Sequence, residues 1–237
     1  MNVNISEDRM ITDETISIQA NDLKEKINVK LITYKFFKRI IDIIGGLVGV
    51  ILLIPMTLCI YIARKILKED DGPIFYEHLR YGKNGKKFRV YKFRSMCIDA
   101  DKKLKEYLDN NEEMRKEFEE NQKLKNDPRI TKIGKILRKT SIDEFPQFIN
   151  VLKGDMSLIG PRPVVDGEIE KYGENKTKFL SVKPGITGYW AANGRSDTSY
   201  DERIKMELYY VDNISFKLDV KIFFKTILSV IKKEGAM

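Results

Sequence analysis

Histidine and cysteine are nearly missing from this sequence. One histidine, His78, in 237 residues leaves no material for a His-rich zinc centre and argues against a Ser-His-Asp or Cys-His catalytic unit. Two cysteines, Cys59 and Cys97, exclude a disulfide scaffold. Internal repeats, low-complexity tracts, Walker-type loops and zinc-ligand spacings are absent as well. The stretch Met1–Lys30 is polar and acidic and does not read as a signal peptide. Chemistry in this chain falls to carboxylates and cations.

What is present is a chain able to fold. A hydrophobic content of 42% with 10% aromatics can offset the entropy of ordering, which excludes a disordered polycation. The length allows one large domain or two small ones. Forty-three Lys and Arg against thirty-five Asp and Glu give a net charge of +8. Residues 1–30 hold six acids and four bases, a net of −2, so the rest of the chain carries +10. A basic body suits nucleic acid, an anionic membrane surface or a phosphorylated substrate, and charge alone does not choose.

The apolar block Ile40–Ala63 has Asp42 as its only charge. As one helix its 24 residues would be about 36 Å long, enough to cross a bilayer. Pro55 lies inside the block, and basic residues flank both ends: Lys35, Lys38 and Arg39 before, Arg64, Lys65 and Lys68 after. A single crossing should show a charge imbalance between its flanks. The near-balance favours a helix that enters one leaflet, breaks at Pro55 and returns to the same face. A spanning helix with a proline kink is the other arrangement these features allow.

Beyond the block, Ile74–Arg80 and Lys86–Arg94 flank Gly82-Lys83-Asn84-Gly85 and predict a β-hairpin. Alternation puts Lys92 and Arg94 on one face and Tyr91 and Phe93 on the other; solvated strand ends would satisfy the two cations equally. Residues 99–125 predict a charged helical hairpin. Asp127-Pro128 predicts a helix start, with Ile130, Ile133, Ile136 and Leu137 on one side. Thr140–Gly154 predicts a further helix, with Ser141 and Glu144 fitting a capping box. Asp143 and Glu144 are then either helix-start charges or chemistry, and Pro146 disturbs the capping reading.

Gly160-Pro161-Arg162-Pro163 and Lys183-Pro184-Gly185-Ile186-Thr187-Gly188 predict rigid turns, and Asn193-Gly194-Arg195 presents another arginine. Ser199–Glu202 is a second capping box. A last helix near Phe216–Lys232 spaces Lys217, Lys221 and Lys225 one turn apart, with an apolar remainder suited to a membrane interface or a core. Five cations in separate turns, Lys92, Arg94, Arg138, Arg162 and Arg195, together with an acidic pair suggest a phosphate-handling site. Adjacent carboxylates can hold a hard divalent ion, and one of them can act as nucleophile.

The run Lys92–Met96, the long segment Arg138–Pro163, Lys183–Gly188, Asn193–Arg195 and Tyr209–Asn213 resemble the bacterial sugar transferases. These are monotopic phosphoglycosyl transferases, also called polyprenyl glycosylphosphotransferases. The resemblance covers about residues 34–233. It implies transfer of hexose-1-phosphate from a UDP-sugar to undecaprenyl phosphate with release of UMP, through a covalent phosphosugar-aspartate. By resemblance Asp143 is the nucleophile and Glu144 belongs with it to a Mg²⁺-carboxylate cluster. Lys92, Arg94, Arg138, Arg162 and Arg195 are expected around the phosphates. The implied fold is α+β and mostly helical: a re-entrant membrane helix-break-helix, then a compact cytoplasmic catalytic domain with a small β-hairpin. Residues 1–33 are expected as a polar acidic arm, 34–69 as the membrane segment broken at Pro55, and 70–237 as the catalytic domain with an interfacial carboxy-terminal helix. Many relatives carry serine before the proline, where this chain has Ile54.

The same resemblance implies the small form of the family, bound to anionic lipid on the cytoplasmic face of the cell membrane. The segment 97–127 and Gly194–Asp197 look more like exopolysaccharide and capsule initiators that use galactose or glucose than like the short N-acetylated bacillosamine enzymes. An inactive membrane-tethered binding protein is the rival, and the retained acidic pair and five cations weigh against it. Nucleic-acid binding rests on charge and aromatic content alone, with no recognition motif, so no nucleic-acid partner is expected.

Overall fold

The computed structural model describes residues 5–121, 124–194 and 198–231. Two compact units divide the chain, Met1–Ile41 and Asp42–Met237. The first unit is helical from Ile5, the opening part of helix α1 (Ile5–Ile66). Within it the Thr33 hydroxyl donates to the Val29 carbonyl one turn back, 2.9 Å away.

The second unit opens with the remainder of α1. The stretch Val29–Ile66 is long and apolar enough to cross a membrane, and only 22% of its most apolar window is buried. The buried positions are Asp42, Gly46, Gly49, Leu53, Ile60 and Arg64, a stripe at helical spacing, whereas Ile44, Ile51 and Ile54 are exposed. A Cβ at Gly49 would run into the Phe148 ring, so the glycine lets the helix axis approach closely. Leu53 and Ile60 join Phe93, Ile133 and Leu137 in one core cluster.

Polar groups fasten both ends of this stripe. Asp42 Oδ1 accepts from the Ser157 hydroxyl and from the Leu158 amide, each at 2.9 Å. Arg64 donates to the Asp70 carbonyl and carboxylate. Arg64 is therefore buried and paired, not a solvated flanking cation of the apolar block.

The helix does not end at Pro55, which lies inside α1, so the expected helix-break-helix is corrected to one continuous helical element. Proline removes one backbone donor, but the turns on either side keep theirs. The Thr57 hydroxyl also donates to the Leu53 carbonyl, 2.7 Å away, across the proline-bearing turn.

The hairpin forms as expected, from antiparallel β1 (Phe75–Tyr81) and β2 (Lys87–Phe93) with Asn84 and Gly85 at positive φ. Phe88 and Val90 pack on Val151 and Met156, while Phe93 on the opposite face enters the core against α1. The charged segment is a pair of helices, α2 (Ala100–Asn110) and α3 (Glu112–Asn121).

Helix α4 (Lys132–Thr140) begins later than Asp127-Pro128 predicts. Thr131 is its cap, accepting from the Gly134 amide, and Asp127 instead takes both the Arg129 guanidinium and the Arg129 amide. Ile133 and Leu137 are buried in α4 but Ile136 is 56% exposed, which corrects the four-residue apolar side.

A one-turn 3₁₀ segment (Ile142–Glu144) precedes α5 (Gln147–Lys153), which stops at left-handed Gly154. Asn150, fully buried in α5, accepts from the Tyr91 amide and donates to the Arg89 carbonyl, fixing α5 to β2.

Strands β3 (Ser157–Ile159) and β4 (Gly185–Thr187) pair in parallel. Here the two proline-glycine segments interlock: a Cβ at Gly185 would strike the Gly160 backbone nitrogen, and one at Gly188 the Gly160 carbonyl. A 3₁₀ segment (Ile169–Asn175), α6 (Lys176–Phe179) and α7 (Tyr189–Asn193) lead to α8 (Tyr200–Asp212), whose Ser199–Glu202 capping box forms as predicted. In α9 (Phe216–Ile231), Ile222 and Asp219 are buried, while Phe223, Phe224, Ile227 and Leu228 are exposed along with the three lysines.

Candidate active site

The acidic pair is presented by a chain that changes direction twice. Ser141 closes α4 in the left-handed conformation, φ 57° and ψ 17°, its amide bonded to the Arg138 carbonyl. Its side chain makes no capping bond, so the expected Ser141–Glu144 capping box is corrected. The cause is Pro146: without an N–H it cannot sit inside a helix begun at Ser141, so the chain makes a single 3₁₀ turn and restarts at Gln147. Ile142 and Phe145 on either side pack against the core cluster. Asp143 and Glu144, between those two anchors, form ion pairs with cations from other elements.

Lys92 on β2 stands between the two carboxylates, with Nζ 2.6 Å from Glu144 Oε1 and 3.7 Å from Asp143 Oδ2. Arg162, from the Gly160–Pro163 turn, places Nη1 3.9 Å from the same Glu144 oxygen. Arg138 on α4 donates Nε to the Ser95 hydroxyl at 2.9 Å and acts electrostatically on Asp143.

Burial disfavours the Glu144 anion, but Lys92, Arg162 and Arg80 outweigh it and hold the group below the usual carboxylate range. Asp143 goes the other way. Burial pushes its carboxyl up, the Glu144 charge adds to this, and Lys92 and Arg138 offset it only in part. A helix terminus does not depress Asp143, because the local helix is three residues long.

Lys92, Glu144 and Arg162 line a cavity walled by β2, the Gly160–Pro163 turn, β4 and α7, together with Gln147, Trp190 and Glu207, while Asp143 and Arg138 are not among its lining residues. A second, apolar groove between α1 and β1 is lined by Leu53, Ile54, Tyr61 and Phe75 and carries no charged group.

Of the five expected cations, Lys92 and Arg162 pair with the acidic residues, and Arg138 acts on Asp143 electrostatically while its Nε is bonded to Ser95. Arg94 does not line the cavity: its Nε donates to the Pro73 carbonyl at 2.8 Å, and its guanidinium lies 5.8 Å from the Tyr76 ring centre. Arg195 lies outside the described residues.

Arg80, unmarked in the sequence reading, takes a place in the cavity wall. The signal for it existed: hairpin register pairs Arg80 with Phe88 and Tyr76 with Lys92, which puts Arg80 and Lys92 on one face. Glu207, Trp190 and Arg203 were also missed. Arg203 stacks over Trp190 at 4.7 Å and Tyr200 at 5.1 Å, and pairs with Glu168.

No cluster of three or more metal-ligating side chains occurs among the described residues. Two adjacent carboxylates still fit Mg²⁺, which commonly takes one or two protein carboxylates and completes its shell with water and phosphate oxygens.

The sequence matches the description "Bacterial sugar transferase" over residues 33–233. The chain belongs to the bacterial sugar transferase family. Among curated members, an "Uncharacterized sugar transferase" of Haemophilus influenzae is 43% identical over 96% of this chain and 46% of its own length. The "Undecaprenyl-phosphate galactose phosphotransferase" of Salmonella typhimurium is 47% identical over 85% of this chain and 42% of its own. The "Exopolysaccharide production protein ExoY" of Rhizobium meliloti is 41% identical over 84% of this chain and 87% of its own. The chain thus spans about half the length of the first two, while its match to the third covers most of both proteins. In this bacterial sugar transferase the matched region contains every residue described around the cavity.

Proposed function

We propose that this chain transfers a sugar-1-phosphate from a UDP-hexose to undecaprenyl phosphate, releasing UMP, as the first membrane step of exopolysaccharide or capsule assembly. The observation that carries the proposal is the convergence of Lys92 and Arg162 on the adjacent Asp143 and Glu144 beside a cavity, with Arg138 acting electrostatically on Asp143. The name of the Salmonella relative, an undecaprenyl-phosphate galactose phosphotransferase, supports the substrate class, and that of the Rhizobium relative supports the link to exopolysaccharide.

In the proposed first step an Asp143 carboxylate oxygen attacks the sugar-bearing phosphorus. The bond from that phosphorus to the bridging oxygen breaks, and UMP leaves with the electron pair. In the second step a phosphate oxygen of undecaprenyl phosphate attacks the same phosphorus, the acyl-phosphate bond breaks, and Asp143 is restored. Lys92 and Arg162 bind and orient the phosphates and neutralise developing charge, and Arg138 favours the ionised form of Asp143. Asp143 and Glu144 would hold Mg²⁺, which when bound supplies further charge neutralisation.

The exposed apolar side of α1 and the exposed aromatics of α9 support attachment to the cell membrane, with the catalytic body on its cytoplasmic face. Labelling of a single cysteine near Lys68 tests this; reaction from the outer face alone would sink the cytoplasmic placement.

The reaction is tested by incubating the full chain in membranes with undecaprenyl phosphate, Mg²⁺ and a panel of UDP-sugars (galactose, glucose and N-acetylated forms), scoring UMP. Asp143→Asn should abolish release, and UDP-sugar alone should leave an acid-labile phosphosugar on the wild-type protein. Near-normal turnover by D143N, or no adduct, would overturn the covalent route.

A further inference from the structure

We propose that Glu207 is a positioning residue for Arg162, setting the backbone frame from which the Arg162 guanidinium reaches the acidic pair and the donor phosphates. This rests on the reaction proposed above. Pro161 and Pro163 have no N–H, so Arg162 owns the single backbone donor of the segment 161–163. That donor goes to Glu207 Oε1, 3.1 Å away and 45 residues on in the sequence. The Pro161 carbonyl accepts from the Gly185 amide at 2.9 Å, and the Pro163 carbonyl accepts from Arg80 at 3.3 Å. With the Glu207 bond, the segment is held from three elements and Arg162 has one backbone placement.

Glu207 is itself well fixed. It sits on the 13-residue helix α8, is 1% exposed, and lines the cavity. One turn earlier Arg203 is clamped between Trp190 and Tyr200, and one turn later Tyr210 bonds to Asp219 at 2.8 Å. A carboxyl is costly at so buried a position, and burial pushes this one up to about 7. An apolar residue would fill the space at lower cost but could not accept from Arg162. The carboxyl therefore has a local purpose, and Arg162 N–H is the group it serves.

The test compares two variants of the full chain. Glu207→Gln keeps reach and an acceptor oxygen but loses the charge; Glu207→Asp keeps the charge and withdraws the oxygen by one methylene. Reading UMP release from UDP-sugar, E207D should lose about 10–100-fold in kcat, a size expected for displacement of a phosphate-handling group, while E207Q recovers most of that loss. In an Arg162→Ala background E207D should cost less than about threefold more, because both changes remove the same placement. Hydrogen exchange of the Arg162 amide should speed up in E207D and stay slow in E207Q.

E207D losses that multiply fully with R162A, an E207Q as impaired as E207D, or unchanged Arg162 exchange in E207D would each overturn the proposal. If the wild type released no UMP from any UDP-sugar, the reaction reading would fall. The exchange measurement would then decide the Glu207–Arg162 placement alone.

Discussion

The Lys92 ammonium lies 2.6 Å from Glu144 Oε1, a contact made across 52 residues of sequence. The same Nζ is 3.7 Å from Asp143 Oδ2, so one cation from a hairpin strand balances a carboxylate pair from a 3₁₀ turn. Removing it leaves a half-buried charge without its nearest partner. Lys92→Met is expected to destabilise the fold by about 1–3 kcal/mol and to abolish most turnover. Chemical denaturation followed by the fluorescence of the single Trp190, alongside UMP release, checks both.

Arg80 and Arg94 make a paired comparison. Arg80 lines the cavity, whereas Arg94 is spent on the Pro73 carbonyl and Tyr76. Arg80→Met should weaken donor use about 10–100-fold in kcat/KM, as expected for one lost charge-assisted bond of about 1.5–3 kcal/mol. Arg94→Met should change it by less than about threefold. Steady-state kinetics with the preferred UDP-sugar decide between the two arginines.

The Glu207 carboxyl makes stability depend on pH with a definite sign. Its folded-state pKa is raised, to about 7, so between the ordinary carboxylate range and neutrality the folded chain holds a proton the unfolded chain has lost. Stability from this group is complete in acid and is lost as pH rises through about 7, even with Arg162 and Arg203 nearby. The thermal midpoint of the wild type should therefore fall against that of E207Q between pH 5 and 8. Parallel curves for the two proteins would contradict it.

Asp42 should be costly to replace. Asp42→Ala strands the Ser157 hydroxyl and the Leu158 amide, and about 3 kcal/mol of stability should go with them. Asp42→Asn keeps one acceptor oxygen and should lose less. Denaturation midpoints of the two variants in one detergent check the order.

The hairpin was legible because Asn84-Gly85 sets the turn, and the turn sets the register. The acidic pair was legible as adjacent carboxylates, and Lys92, Arg138 and Arg162 as cations of a strand, a helix and a rigid turn. Less legible was how the pair is carried: Ser141 and Glu144 have capping-box spacing, and only the backbone shows that Pro146 prevents one helix from using it. Arg94 follows the end of β2 and bonds the Pro73 carbonyl, because alternation gives the face of a strand residue but not where the strand ends. Glu207 was invisible for a different reason: its meaning depends on an amide 45 residues away, and no local period encodes that.

Asp42 also sets a clock. Its partners, Ser157 and Leu158, are 115 and 116 residues downstream. At roughly 5–20 residues per second, they leave the ribosome about 6–23 s after it does. Throughout that interval the nascent apolar helix lacks the two donors that its Asp42 carboxylate takes in the fold, and a carboxylate resists early burial in hydrocarbon. Docking of the helix on the body is thus a late event in biogenesis, coupled to completion of the fold rather than to emergence of the helix.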